Sequence, residues 1–162
     1  MMTLKLLKNN LLAILFHGIL CFIFYHIGNW IYRNKLGIET INLQNFWQFV
    51  LYVFIVIIQL FVVVASYILI GRYLLRPVRK NSQKYLSVIG LFVCLLVAWV
   101  CSLQTVGLAW SAFATLPFRP ICMLILKSFR DNFVNPYFLE IGILFVFSVV
   151  PCLVMALAIR KE

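Results

Sequence analysis

The chain has 162 residues, of which 65% are hydrophobic and 11% charged, with a mean hydropathy of +1.06. Soluble domains average roughly 25% charged and roughly 45–50% apolar residues, and a chain this short has too much surface for its volume to hide such an excess. An ordinary water-soluble domain is thereby excluded. The net charge of +10, from 14 Lys and Arg against 4 Asp and Glu, would suggest nucleic acid in a soluble protein. Here the positive residues flank apolar runs, where they anchor helices and set orientation, so no nucleic-acid partner is expected.

Lys5 and Lys8 precede a first apolar run, predicted as a helix over 10–31. The run is too long for a signal peptide and no small-residue cleavage site follows it, so it reads as an uncleaved transmembrane helix. Cys21 is not a lipoprotein cysteine, because Leu20 stands where a small residue is needed. A short polar connection with Arg33, Lys35 and Glu39 leads to a second run, 46–72, and no charge interrupts the sequence between Glu39 and Arg72. About 20 apolar residues span a bilayer. The densest positive stretch follows, with Arg72, Arg76, Arg79, Lys80 and Lys84 inside thirteen residues. A third helix is predicted over 85–110 and a fourth over 137–159, the latter with Asn135 as N-cap and Pro136 at the first helical position. The expected architecture is a single domain over 1–162, with four transmembrane helices in two hairpins.

Counting Lys and Arg sets the orientation. With the N-terminus cytoplasmic, the inner side holds Lys5, Lys8, Arg72, Arg76, Arg79, Lys80, Lys84, Arg160 and Lys161, and the outer side holds Arg33, Lys35, Arg119, Lys127 and Arg130. Nine against five places both termini inside. Trp30, Trp47 and Trp110 then fall at the outer interface and Tyr73 and Tyr85 at the inner one, as an aromatic belt requires. The basic centre is thus a cytoplasmic anchor between hairpins. Plasma-membrane location is expected, and the Lys, Asn, Ile and Phe usage points to a bacterial source.

The longest connection, 111–136, is expected on the outer surface as a short interfacial helix over residues 120–130. Ile121, Leu124, Ile125 and Phe129 would face one side, while Arg119, Lys127 and Arg130 form a basic face toward headgroups. The plainer alternative is a lid packed over the bundle. Glu140 lies about one turn inside the fourth run, where a carboxylate needs a partner or water. His26 and Gln104 fall at a similar depth, so His26, Gln104 and Glu140 form a candidate polar cluster. A single interhelical hydrogen bond is the simpler role for a histidine here. His17 and His26, nine residues apart, point to opposite faces about 13 Å apart along the axis and cannot share a metal. Gln59 reads as interhelical glue, and Pro151 as the site of a mild kink.

Cys21, Cys94, Cys101, Cys122 and Cys152 include no Cys-x-x-Cys pair, and those within apolar runs behave as small hydrophobes. No hydrolase, metalloprotease or phosphate-loop motif is present, so neither catalytic residues nor a cofactor or metal are expected. The leading expectation is a non-enzymatic membrane protein of accessory, regulatory or immunity type. It would bind a membrane partner, another copy of itself, or an anionic lipid or envelope component. The alternative is a small oligomeric transporter or channel that uses Glu140 as its coupling carboxylate.

Overall fold

The computed structural model describes residues 2–28, 46–102, 116–118, 120–122, 124–125 and 136–162. Every regular element among them is helical: α1 (Met2–Gly28), α2 (Phe46–Leu69), a π-helical turn (Ile70–Leu74), α3 (Asn81–Leu86), α4 (Ile89–Ser102), a 3-10 turn (Leu116–Phe118) and α5 (Pro136–Ala158). Thr3–Gly28 and Phe46–Leu74 are long and apolar enough to cross a membrane, and Ile89–Val100 and Phe145–Ala158 are shorter apolar helices.

α1 begins well before the predicted residue 10, because nothing from Met2 to Asn10 breaks a helix and the two asparagines find tertiary partners. Its buried stripe is Asn9, Ala13, His17, Cys21 and Phe24, the spacing of one helical face. α2 buries Tyr52, Val56, Val63 and Tyr67. α5 packs against α4 and α2, and α1 packs on α4. Outward, α1 shows Leu11, Leu15 and Phe22, and α2 shows Trp47, Phe54 and Phe61.

α2 ends in the π turn, where the Leu75 amide donates to the Ile70 carbonyl at 3.1 Å. Gly71 sits at the crossing with α5. A Cβ there would lie 2.5 Å from the Met155 carbonyl oxygen and 2.8 Å from the Ala158 Cβ, so only glycine lets the backbones meet. Pro77 then lacks an amide to continue a helix and holds Arg76 extended. The segment pairs instead with the C-terminal residues: the Val78 amide donates to the Arg160 carbonyl at 3.1 Å, and the Glu162 amide donates to the Val78 carbonyl at 3.1 Å.

The predicted third helix is two helices, with Ser87 and Val88 in a turn between α3 and α4. The cause is Asn10. In a continuous helix the Gly90 amide would donate to the Leu86 carbonyl. Here the Asn10 carboxamide sits between them: Oδ1 accepts from the Gly90 amide at 2.5 Å and Nδ2 donates to the Leu86 carbonyl at 2.8 Å. A side chain inserted in the helical ladder is an established cause of a sharp bend. Gly90 makes room for it, since a Cβ would stand 2.9 Å from Asn10 Oδ1.

Within the connection 111–136, residues 120–122 and 124–125 are helical, as the expected short helix requires, but what is described lies against the protein, as the lid alternative has it. Residues 116–118 and 120–122 pack inward on α2, with Pro117, Phe118, Pro120 and Cys122 buried. Ile121 and Ile125 do turn one way, but toward the protein core. Two polar residues of α2 bond to this segment. Gln59 Nε2 donates to the Pro117 carbonyl at 3.3 Å, and Tyr52 Oη donates to the Pro120 carbonyl at 3.1 Å. Gln59, expected as interhelical glue, bonds to the 3-10 turn at Pro117.

Candidate functional site

Arg72, Arg76, Arg79, Lys80 and Lys84, expected as a cytoplasmic anchor, surround a hydrogen-bonded network. Arg72, Arg76, Arg79 and Lys80 are exposed and Lys84 is half-buried, yet the backbone that carries them is fixed from beneath. Asn9, fully buried, donates from Nδ2 to the Arg76 carbonyl at 3.0 Å and to Ser87 Oγ at 3.1 Å, and its Oδ1 accepts the Arg76 amide at 2.8 Å. One carboxamide thus satisfies both backbone groups of the residue that Pro77 leaves extended. Ser87 Oγ in turn donates to the Gln83 carbonyl at 2.8 Å, and Gln83 Oε1 accepts the Arg79 and Lys80 amides at 3.1 and 3.2 Å, capping α3.

Charge closes the same end. Glu162 pairs with Lys5, and its second oxygen lies 3.4 Å from Arg79 Nε. The Lys5 hydrogen bond, ahead of the positive charges of Lys5 and Arg79, holds the Glu162 carboxyl below its ordinary value. The start of α1, the basic segment and residues 160–162 therefore meet.

The interior holds a second constellation. His17 Nδ1 and Tyr67 Oη share a hydrogen bond at 2.9 Å, and Cys21 Sγ lies 3.4 Å from His17 Nε2. Tyr67 stacks on Phe118 with centroids 6.1 Å apart, and Phe118 stacks on Phe147 at 5.1 Å. Phe118, 1% exposed, thereby ties the 3-10 turn to α2 and α5. A shallow cleft lined by Val56, Gln59, Leu60, Pro117, Phe118, Pro120 and Ile121 is too tight to seat a water molecule. No buried side-chain polar atom among the described residues lacks a partner, and none of their His, Cys, Asp and Glu residues gather in threes to hold a metal.

No family model, curated protein or solved structure matches this chain.

His26 is exposed and packs edge-on against Phe22 and Tyr25, with centroids at 4.4 and 5.4 Å. The rest of its expected cluster, Gln104 and the side chain of Glu140, lies outside the described residues, as do Arg119, Lys127 and Arg130. Sequence reasoning passed over Asn9 and Asn10. Their signal was available: adjacent amides beside a long apolar run require partners, because an unpaired polar group there costs several kcal/mol, roughly 2–7.

Proposed function

We propose that this chain spans a bacterial plasma membrane four times, with its termini and basic segment in the cytoplasm, and acts without chemistry by binding a partner or lipid in the membrane plane. The observation that carries this reading is where its apolar and polar groups lie. Only 22% and 28% of the most apolar windows of α1 and α2 are buried, whereas the core helix of a soluble protein is mostly buried. Their outer faces need lipid or another helix. Polar groups are paired among themselves, and the described interior is packed tight, features of a scaffold that offers its surface.

Depth along α2 supports an extension of this reading. Pro117 and Pro120 bond to Gln59 and Tyr52, and Phe118 stacks on Tyr67, so these residues lie beside the middle of α2. Short helical pieces at membrane depth leave end groups that must be paired within protein, and Pro117, Phe118, Pro120 and Cys122 are buried. In the four-span reading, residues 116–118 and 120–122 belong to a stretch that dips into the membrane from the outer side and is covered by protein.

Membrane retention after carbonate washing, followed by purification of the full chain in mild detergent, tests the assignment. It predicts a stable assembly with a protein partner, a second copy or tightly held lipid. A strictly monomeric particle free of all three would contradict it. Ion or proton flux in liposomes that is lost with Glu140→Gln would move the assignment to the transporter class.

A further inference from the structure

Two arginines converge on one exposed ring where α2 crosses α5. The Arg160 guanidinium lies 4.8 Å from the Tyr73 ring centroid and that of Arg72 lies 5.8 Å from it. Both are within the roughly 6 Å over which a cation is attracted to an aromatic ring. Gly71 allows the close helix approach that brings Arg72 and Arg160 together, although they are far apart in the chain. The π turn then exposes Arg72, Tyr73 and Leu74 in succession, and such turns are frequent at functional positions.

Like charges gathered on one ring repel unless an anion joins them. Neither arginine pairs with a carboxylate among the described residues, because Glu162 is occupied by Lys5 and Arg79. Directly along the helices from the pair, Leu69 on α2 and Leu153 and Leu157 on α5 are exposed. Leu153, Leu157 and Arg160 follow the spacing of one helical face. Charge at the end of an apolar rail matches a molecule with an anionic head and hydrocarbon chains.

We propose that Arg72, Tyr73 and Arg160 bind the phosphate headgroup of an anionic phospholipid in the cytoplasmic leaflet, with its acyl chains along Leu69, Leu153 and Leu157. The site rests on the four-span reading, which puts this end of the bundle at the anionic leaflet. Guanidinium groups suit phosphate because their forked donors engage two oxygens at once. Tyr73 holds both forks in place before the lipid arrives, which distinguishes this site from the diffuse attraction of Lys80 and Lys84.

The test uses the full chain in a neutral detergent, titrated with phosphatidylglycerol, phosphatidylcholine or inorganic phosphate, with bound lipid counted by native mass spectrometry. Phosphatidylglycerol should be retained in preference to phosphatidylcholine. R72Q/R160Q should weaken that retention on the order of tenfold more than K80Q/K84Q, which removes the same charge from the same end. Y73L should weaken it severalfold with net charge unchanged. All these side chains except Lys84 are exposed, and an unchanged thermal midpoint verifies that each variant is folded. Equal losses in the two double variants, or equal retention of both lipids, would overturn the site. Displacement of the lipid by an equal concentration of inorganic phosphate would overturn its assignment to lipid. Failure of the chain to stay in carbonate-washed membranes would instead sink the four-span reading beneath it.

Discussion

Replacing Asn9 with Leu keeps the side chain's approximate size and removes all of its hydrogen bonds. Those bonds are three: two to the Arg76 backbone and one to Ser87. At about 1 kcal/mol net for each, the loss is about 3 kcal/mol. Arg76 is exposed, so water recovers part of what its backbone loses, while Ser87 is buried and regains nothing. For a chain of this length about 2–4 °C of midpoint accompany each kcal/mol, so the fall should be about 6–12 °C. A thiol-reactive fluorophore can follow unfolding directly, since Cys21, Cys122 and Cys152 are buried and only unfolding reveals them; Cys94→Ser removes an exposed background thiol. Asn10→Ala should cost less, because the Gly90 amide can return to the Leu86 carbonyl and close the helical bond. A drop below about 2 °C for Asn9→Leu, or a larger drop for Asn10→Ala, would refute the view that Asn9 fastens the basic segment.

Three further outcomes follow from the same geometry. Gly71→Ala places a Cβ against the Met155 backbone and Ala158, neither of which can step aside, and should cost about 1–3 kcal/mol in the same thermal assay. Phe118→Ala removes the ring between Tyr67 and Phe147 and should cost about 3–5 kcal/mol, with Cys122 becoming reactive to thiol reagents in the folded protein. The Glu162 carboxyl titrates below its ordinary value of 4.5, chiefly through the Lys5 hydrogen bond. Its contribution to stability is therefore complete above that value and is lost as pH falls through the lowered one. Thermal midpoints measured between pH 6 and pH 3 should show Glu162→Gln flattening the acid limb; an unchanged limb would mean the pair contributes nothing.

Much of the helical content was legible because apolar runs and their charged ends are local signals. α2 and α5 fall within a few residues of expectation, and Pro136 begins its helix where proline chemistry places it. The break between α3 and α4 was not legible, because its cause is a side chain from another helix: nothing near Gly90 announces that Asn10 will enter the ladder. The inward packing of residues 116–118 and 120–122 was hidden for a related reason. Amphipathic spacing around Ile121 and Ile125 records that one side is apolar, but the same pattern suits lipid or a protein core. Gln59 and Tyr52 were the available clue, since donors on an apolar helix must find acceptors, here the Pro117 and Pro120 carbonyls. At the basic segment, counting charges accounted for the exposed heads of Arg72, Arg79 and Lys80. It had no term for Asn9, Gln83 and Val78, which hold the backbone beneath them.

The most direct test of the four-span account is site-directed cysteine labelling with a membrane-impermeant maleimide, in a chain cleared of its own cysteines. Lys80→Cys and Lys161→Cys should label only after the membrane is opened, Lys35→Cys and Asp131→Cys should label on intact cells, and Phe118→Cys should resist the reagent in both. Labelling of positions 80 and 161 on intact cells, or from opposite sides of the membrane, would contradict it.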